Sequence, residues 1–158
     1  MAHILNIAVW NANGLCQHAQ EIKLFLQTLH LYILLVSETH FTGRSYMKIP
    51  NYNIYHDTHP DETAHGGTAV IIRQNIKHHT RIVYKQDNIK ATSISLEDSI
   101  GEITISAIYC PPKHNNKYDD FDRFFKTLGH RFIAGGDFNA QTHLLGIKTH
   151  KYERKRAI

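Results

Sequence analysis

Four apolar runs of the sequence break off into residues able to handle charge: Trp10-Asn11-Ala12-Asn13-Gly14, Ser37-Glu38-Thr39-His40, Ile108-Tyr109-Cys110-Pro111-Pro112 and Gly136-Asp137-Phe138-Asn139. Together they offer the carboxylates of Glu38 and Asp137, the amides of Asn11, Asn13 and Asn139, and the phenol of Tyr109. Each has an ordinary structural explanation when taken alone. Asn11 and Asn13 could satisfy a turn before Gly14, and Glu38 could be a solvated strand end. Tyr109 could be a core aromatic with its hydroxyl at the edge, and Asp137 and Asn139 could cap a turn. The conjunction is harder to set aside. In an α/β sheet a rigid frame fixes side chains at strand ends while the loops leave them accessible, so several such ends could assemble one acid-and-amide cluster.

The elements that would have to position these residues are written in the apolar spacing. Ile4 to Asn11 reads as a buried strand. From about Cys16 to His30, Ile22, Phe25, Leu26 and Leu29 recur at helical spacing. Tyr32 to Thr39 reads as a second inner strand, which makes a strand-helix-strand unit with parallel partners. Residues 41–64 are loop-rich around a short strand, Tyr52 to His56, and structure resumes at Gly66 to Arg73. Thr80 to Tyr84 is expected to be a further strand. Ile89 to Asp98 and Gly101 to Cys110 are expected to form a hairpin, with alternation over Ala91 to Glu97 burying one face and solvating the other. A second helix is predicted over Tyr118 to Leu128, with Asn116 as its cap, followed by an inner strand into Gly136-Asp137. The pattern is a layered α/β domain with mixed strands.

The 158 residues are enough for one domain with a real core, burying roughly 70% of the unfolded surface. Hydrophobic residues at 42% and charged residues at 20% exclude a disordered chain, and the apolar run Ile33 to Val36 is far too short to span a bilayer. No signal peptide is visible, and two cysteines are too few for a disulfide framework or a four-cysteine zinc site, so an intracellular, reducing setting is expected. The formal charge of +4 lies in the end of the chain: residues 148–158 carry five basic groups and one acid, leaving 13 basic and 13 acidic residues in 1–147. The expected organisation is therefore a domain over 1–147 and a basic tail over 148–158.

On the blocks Trp10 to Leu15, Ser37 to His40, Gly66 to Arg73, Ile108 to Pro112 and Gly136 to Gln141, which occur in family order, the chain resembles the endonuclease/exonuclease/phosphatase superfamily. Within it, the likeness is to the apurinic-like endonuclease domain of jockey-type non-LTR retrotransposons. The resemblance implies a layered α/β sandwich and a metal-dependent DNA endonuclease. Glu38 would bind a divalent ion, Mg2+ or Mn2+, with Asn11 beside it, and Asn13 stands where repair relatives often have an acid. Asp137 would orient or deprotonate the attacking water, Asn139 would hold it or a phosphate oxygen, and Tyr109 would hydrogen-bond the phosphate in the transition state. The implied partners are DNA and a reverse transcriptase domain of the same element protein, with no membrane, and the implied location is the nucleus.

The family pattern continues through further strands to a Ser-Asp-His block that this sequence does not contain. The expectation is therefore a C-terminally incomplete fragment lacking the last strands of the sandwich, with an apolar sheet face left exposed. The alternative is a catalytically dead remnant that binds nucleic acid through the basic tail. A lipid or small-molecule phosphoesterase ranks below both. His143 and His150 are weighed as stand-ins for the missing histidine and His40 as a substrate contact, and each is better explained as a histidine without a role.

Overall fold

The computed structural model describes residues 4–57 and 65–139. The first strand, β1 (Ile7–Asn11), leads through a 3-10 turn (Leu15–His18) into helix α1 (Ala19–Thr28) and then strand β2 (Ile33–Ser37). Strands β3 (Tyr52–His56) and β4 (Thr68–Arg73) complete a sheet in the order β1-β2-β4-β3. The second sheet follows in sequence: β5 (His78–Thr80), β6 (Tyr84–Lys85), β7 (Lys90–Asp98), β8 (Gly101–Tyr109), helix α2 (Tyr118–Thr127) and β9 (Phe132–Asp137). Its order is β5-β7-β8-β9, with β6 also paired to β7.

The two sheets pack face to face, β1 against β9, β2 against β8 and β9, and β4 against β7 and β8. Side-chain alternation divides β2 between two layers. Leu34 and Val36 face Ile22 and Leu26 of α1, whereas Ile33 and Leu35 face Ile94, Ile105 and Ala107 of the second sheet. All five residues of β2 are buried, which is why the strand has no polar face. A third apolar cluster sets Phe121, Phe124 and Leu128 against Ala91, Ile108 and Cys110. The result is a sandwich of two mixed sheets with a helix on each outer face, the layered α/β architecture expected from the sequence.

Several local expectations are corrected. The first helix divides into the 3-10 turn and α1, and it stops at Thr28 because His30 turns left-handed (φ 48°) and the Leu31 N–H returns to Leu26 O at 3.0 Å. Of its apolar positions, Ile22 and Leu26 are buried while Phe25 and Leu29 remain on the surface. The strand expected over Thr80 to Tyr84 is interrupted. Thr80 pairs with Ile94 but Tyr84 pairs with Ala91, so one extra residue bulges out and Ile82 is 97% exposed. Both faces of β7 are covered over Ala91 to Leu96, and the polar face is satisfied internally: Ser93 bonds Ser106 at 2.8 Å and Arg81 donates to Ser95 Oγ at 3.1 Å. The N-cap of α2 is Lys117, whose N–H donates to Asp120 Oδ2 at 2.9 Å. Asn116 is instead buried and donates its amide to Asn88 O at 3.2 Å.

Register decides where the polar strand ends fall. The parallel pair β1/β2 sets Asn11 opposite Ser37, and the parallel pair β8/β9 sets Tyr109 opposite Asp137. Antiparallel β4 begins at Thr68, opposite Ser37. The C-terminal ends of four strands and the N-terminal end of β4 therefore meet at one end of the sandwich.

Candidate active site

Asn11 joins the two sheets at that end. Its Nδ2 donates to Glu38 Oε1 at 3.1 Å and to Asp137 Oδ2, 126 positions away in the chain, at 3.0 Å, so the two acids share one amide. Asn11 Oδ1 accepts the Asn13 N–H at 3.2 Å, which fixes the amide's orientation and closes the turn before Gly14. Asp137 Oδ1 accepts the Asn139 N–H at 3.0 Å, and Asn139 Nδ2 donates to Cys110 O at 2.8 Å. The Cys110 N–H in turn donates to Asp137 O at 2.8 Å, extending the β8/β9 ladder past Tyr109. Asn11, Glu38, Asp137 and Asn139 thus belong to one hydrogen-bonded group.

The backbone here departs from the sheet. Of the six non-glycine residues with positive φ among the described residues, Asn13 (44°), Glu38 (54°), His40 (54°) and Asn139 (41°) lie in these strand-end loops. Left-handed conformations of this kind concentrate where loops must aim side chains rather than continue a ladder. The Glu38 loop is pinned on both sides, by Gly14 N–H to Glu38 O at 2.8 Å and by His40 N–H to Gly66 O at 2.9 Å. On β9, Gly136 (φ 154°) crosses so near Ile108 O that no Cβ could fit, which lets Asp137 come flush with Tyr109.

The electrostatics follow from two carboxylates placed together. Among the described residues neither Glu38 nor Asp137 has an ion pair with lysine or arginine; His40 Nε2 lies 3.9 Å from Glu38 Oε2. Burial pushes the Tyr109 phenol above the ordinary tyrosine range, and the charges of Glu38 and then Asp137 push it further. Tyr109 is therefore a protonated hydrogen-bond donor at neutral pH, inside the field of both acids. The two carboxylates offer hard oxygen donors, the kind that a magnesium-like cation keeping several waters takes. Glu38 is the residue best disposed to hold one, since its Oε2 is not used by Asn11. Asn11 presents Nδ2 to the acids, so its first role is as a clamp between them.

All six residues singled out from the sequence, Asn11, Asn13, Glu38, Tyr109, Asp137 and Asn139, lie at this end of the sandwich. His40 was weighed and set aside on sequence grounds, yet it stands beside Glu38. Gly66, where a Cβ would stand 2.8 Å from Tyr109 Cε1, begins one of the blocks that carry the resemblance but was given no role of its own. His143 and His150 lie outside the described residues.

Residues 8–154 match the model of the Endonuclease/Exonuclease/phosphatase family. The chain belongs to this family. Family membership accounts for the face-to-face sheets and for strand ends meeting at one edge. Over 137 residues, 87% of this chain, the sequence is 36% identical to the RNA-directed DNA polymerase from mobile element jockey of Drosophila melanogaster. It is also 32% identical over 144 residues to the probable RNA-directed DNA polymerase from transposon BS of the same species. The chain spans only 15% and 16% of the length of these relatives. Among solved structures of the fold, the endonuclease domain of TRAS1, a telomere-specific non-LTR retrotransposon, superposes with a TM-score of 0.64 at 20% identity, covering 88% of this chain and 62% of that one. The AP endonuclease LMAP from Leishmania major superposes with a TM-score of 0.62 at 13% identity, covering 82% of this chain and 53% of that one.

Proposed function

We propose that this chain is the endonuclease part of a non-LTR retrotransposon protein. It would hydrolyse one phosphodiester of target DNA with a divalent metal ion, leaving a 3′ hydroxyl from which a reverse transcriptase domain of the same protein primes synthesis. The observation that carries this reading is the Asn11 amide held between Glu38 and Asp137, with the Tyr109 phenol in the field of both. The relatives named as RNA-directed DNA polymerases and the retrotransposon endonuclease domain among the solved structures support it. Acting on chromosomal DNA would place the protein in the nucleus.

The residues divide the work by their chemistry. Glu38 would hold the metal with Asn11 beside it, and Mg2+ or Mn2+, when bound, would supply charge stabilisation at the phosphate and the leaving oxygen. Asp137 accepts a proton from, or orients, the attacking water, its carboxylate already fixed by Asn11 and Asn139. Asn139 Nδ2 uses one hydrogen on Cys110 O and keeps the second for a phosphate oxygen. Tyr109 donates its hydroxyl to the phosphate as negative charge grows there.

Nicking of supercoiled plasmid in Mg2+ or Mn2+ tests the proposal. Glu38→Ala and Asp137→Asn should each lower the rate by about 10²-fold or more, and Tyr109→Phe by about 10²-fold, while chelation abolishes nicking. Equal nicking by the unsubstituted chain and Glu38→Ala would overturn it. DNA retention without cleavage, weakened by salt and abolished on removal of residues 148–158, would instead favour the remnant that binds through its basic tail.

A further inference from the structure

We infer that Gly66 is a positioning residue for Tyr109: the bare backbone at Gly66 sets where the phenol ring lies, and so where its hydroxyl meets a phosphodiester. The inference deepens the reading above and rests on it. Tyr109 ends β8 in the second sheet, whereas Gly66 precedes β4 in the first, so the ring bridges the gap between the sheets. A Cβ on Gly66 would stand 2.8 Å from Tyr109 Cε1, closer than real Cβ atoms come, and a tight 3.2 Å from Cδ1.

Backbone conformation alone does not explain a glycine here. Gly66 has φ +59°, and Glu38 and His40 adopt φ 54° in the same end of the molecule with full side chains. Beyond the strain of that φ, a side chain at Gly66 would meet the Tyr109 ring.

The backbone cannot retreat to make room. Gly66 O accepts the His40 N–H at 2.9 Å, and Gly67 O accepts the Thr39 N–H at 3.3 Å. On the next residue, Thr68 N and Oγ1 both donate to Asp57 Oδ1, at 2.5 and 2.9 Å, and Thr68 Oγ1 also meets Thr92 Oγ1 of β7 at 2.8 Å. Asp57 is only 3% exposed, so this anchor lies inside the fold. An added methyl group therefore has one yielding neighbour, the ring, and displacing the ring moves the hydroxyl away from the space beside Glu38 and Asp137. The Gly66 turn thereby couples the Glu38–His40 loop and Tyr109 to one piece of backbone.

The test compares Gly66→Ala with Gly129→Ala. Gly129 is also left-handed, at φ +86°, but nothing lies within 4 Å of its missing Cβ, so it controls for backbone strain. The ring resonances of Tyr109, assigned by their loss in Tyr109→Phe, should move in Gly66→Ala and stay in place in Gly129→Ala. Plasmid nicking by Gly66→Ala should fall in kcat by about 10²-fold with KM little changed, the cost of a misplaced group of about 1 Å. In a Tyr109→Ala background the same substitution should have no further effect.

Unmoved resonances, or an equal loss in the Tyr109→Ala background, would overturn the inference. If Gly66→Ala fails to fold, recovery of folding by adding Tyr109→Ala locates the conflict at the ring and upholds it, whereas failure of both chains overturns it. Wild-type nicking by Tyr109→Phe would remove the function proposed for the phenol and the inference with it. Impaired Tyr109→Phe beside fully active Gly66→Ala would remove the inference alone.

Discussion

Cys110 is fully buried directly after Tyr109, and burial, aided by the Asp137 charge, pushes its thiol up to about 12. The thiolate is the reactive form, so Cys110 is inert in the folded chain, while Cys16 is exposed on the 3-10 turn. A chromogenic disulfide reagent at pH 8 should therefore titrate one thiol in the native protein and two in denaturant. Rapid reaction of both would mean that the β8/β9 end opens readily. What Cys110 gives the site is its backbone, which holds Asn139 and Asp137 through its carbonyl and N–H. Glu38 and Asp137 could be singled out in the sequence because each follows or ends an apolar strand; what sets them beside each other is the packing of two sheets, with Asn11 between. Gly66 was not legible: its importance lies in a ring contact from the opposite sheet, and nothing in Gly66-Gly67 spells out that neighbour.

The elements carrying the site depend on a clasp at the far end of the second sheet. Asp98 Oδ1 accepts the N–H groups of Ile100 and Gly101 at 2.8 and 3.1 Å, closing the β7/β8 hairpin. The same carboxylate takes Arg131 NH1 at 3.0 Å and NH2 at 2.6 Å, tying the hairpin to the residue that precedes β9. The Arg131 hydrogen bond, followed by the Ile100 N–H, holds the Asp98 carboxyl far below the ordinary carboxylate range. A depressed folded-state value means the unfolded chain binds the proton more readily, so this stabilisation is complete above about pH 4 and is lost as pH falls through the lower folded value. Asp98→Ala should lower the melting temperature at pH 7, and the gap from the unsubstituted chain should begin to close only below about pH 4. A gap that stays constant down to pH 2 would show that Asp98 acts without its charge. The hairpin itself was legible from two apolar runs around Asp98 to Gly101, and so was α1 from its periodicity. The bulge at Arg81 to Val83 was not, since it comes from a one-residue register difference against β7. The cap of α2 was misread for a similar reason: Asn116 found a backbone carbonyl 28 residues away.

At the scale of the molecule, the two sheets share a flank that is open among the described residues. β1 and β9 are the outermost strands of their sheets and lie against each other, so among the described residues each has one unpaired edge. Apolar side chains line it: Val9 is 52%, Phe132 38% and Ile133 43% exposed. An unpaired strand beside exposed apolar side chains is a template for pairing with another chain. The protein should therefore self-associate with rising concentration in sedimentation velocity, and the association should weaken with Ile133→Lys, which sets a charge on the edge strand without touching the hydrogen bonds of Asn11 or Asp137. A monomer at every concentration, with no change in Ile133→Lys, would mean that the flank is covered within the chain itself. The outcome bears on catalysis as well as solubility, because β1 and β9 carry Asn11 and Asp137 at their ends. A partner strand along this flank would stiffen the frame that holds both, so nicking activity per chain should rise with association rather than fall.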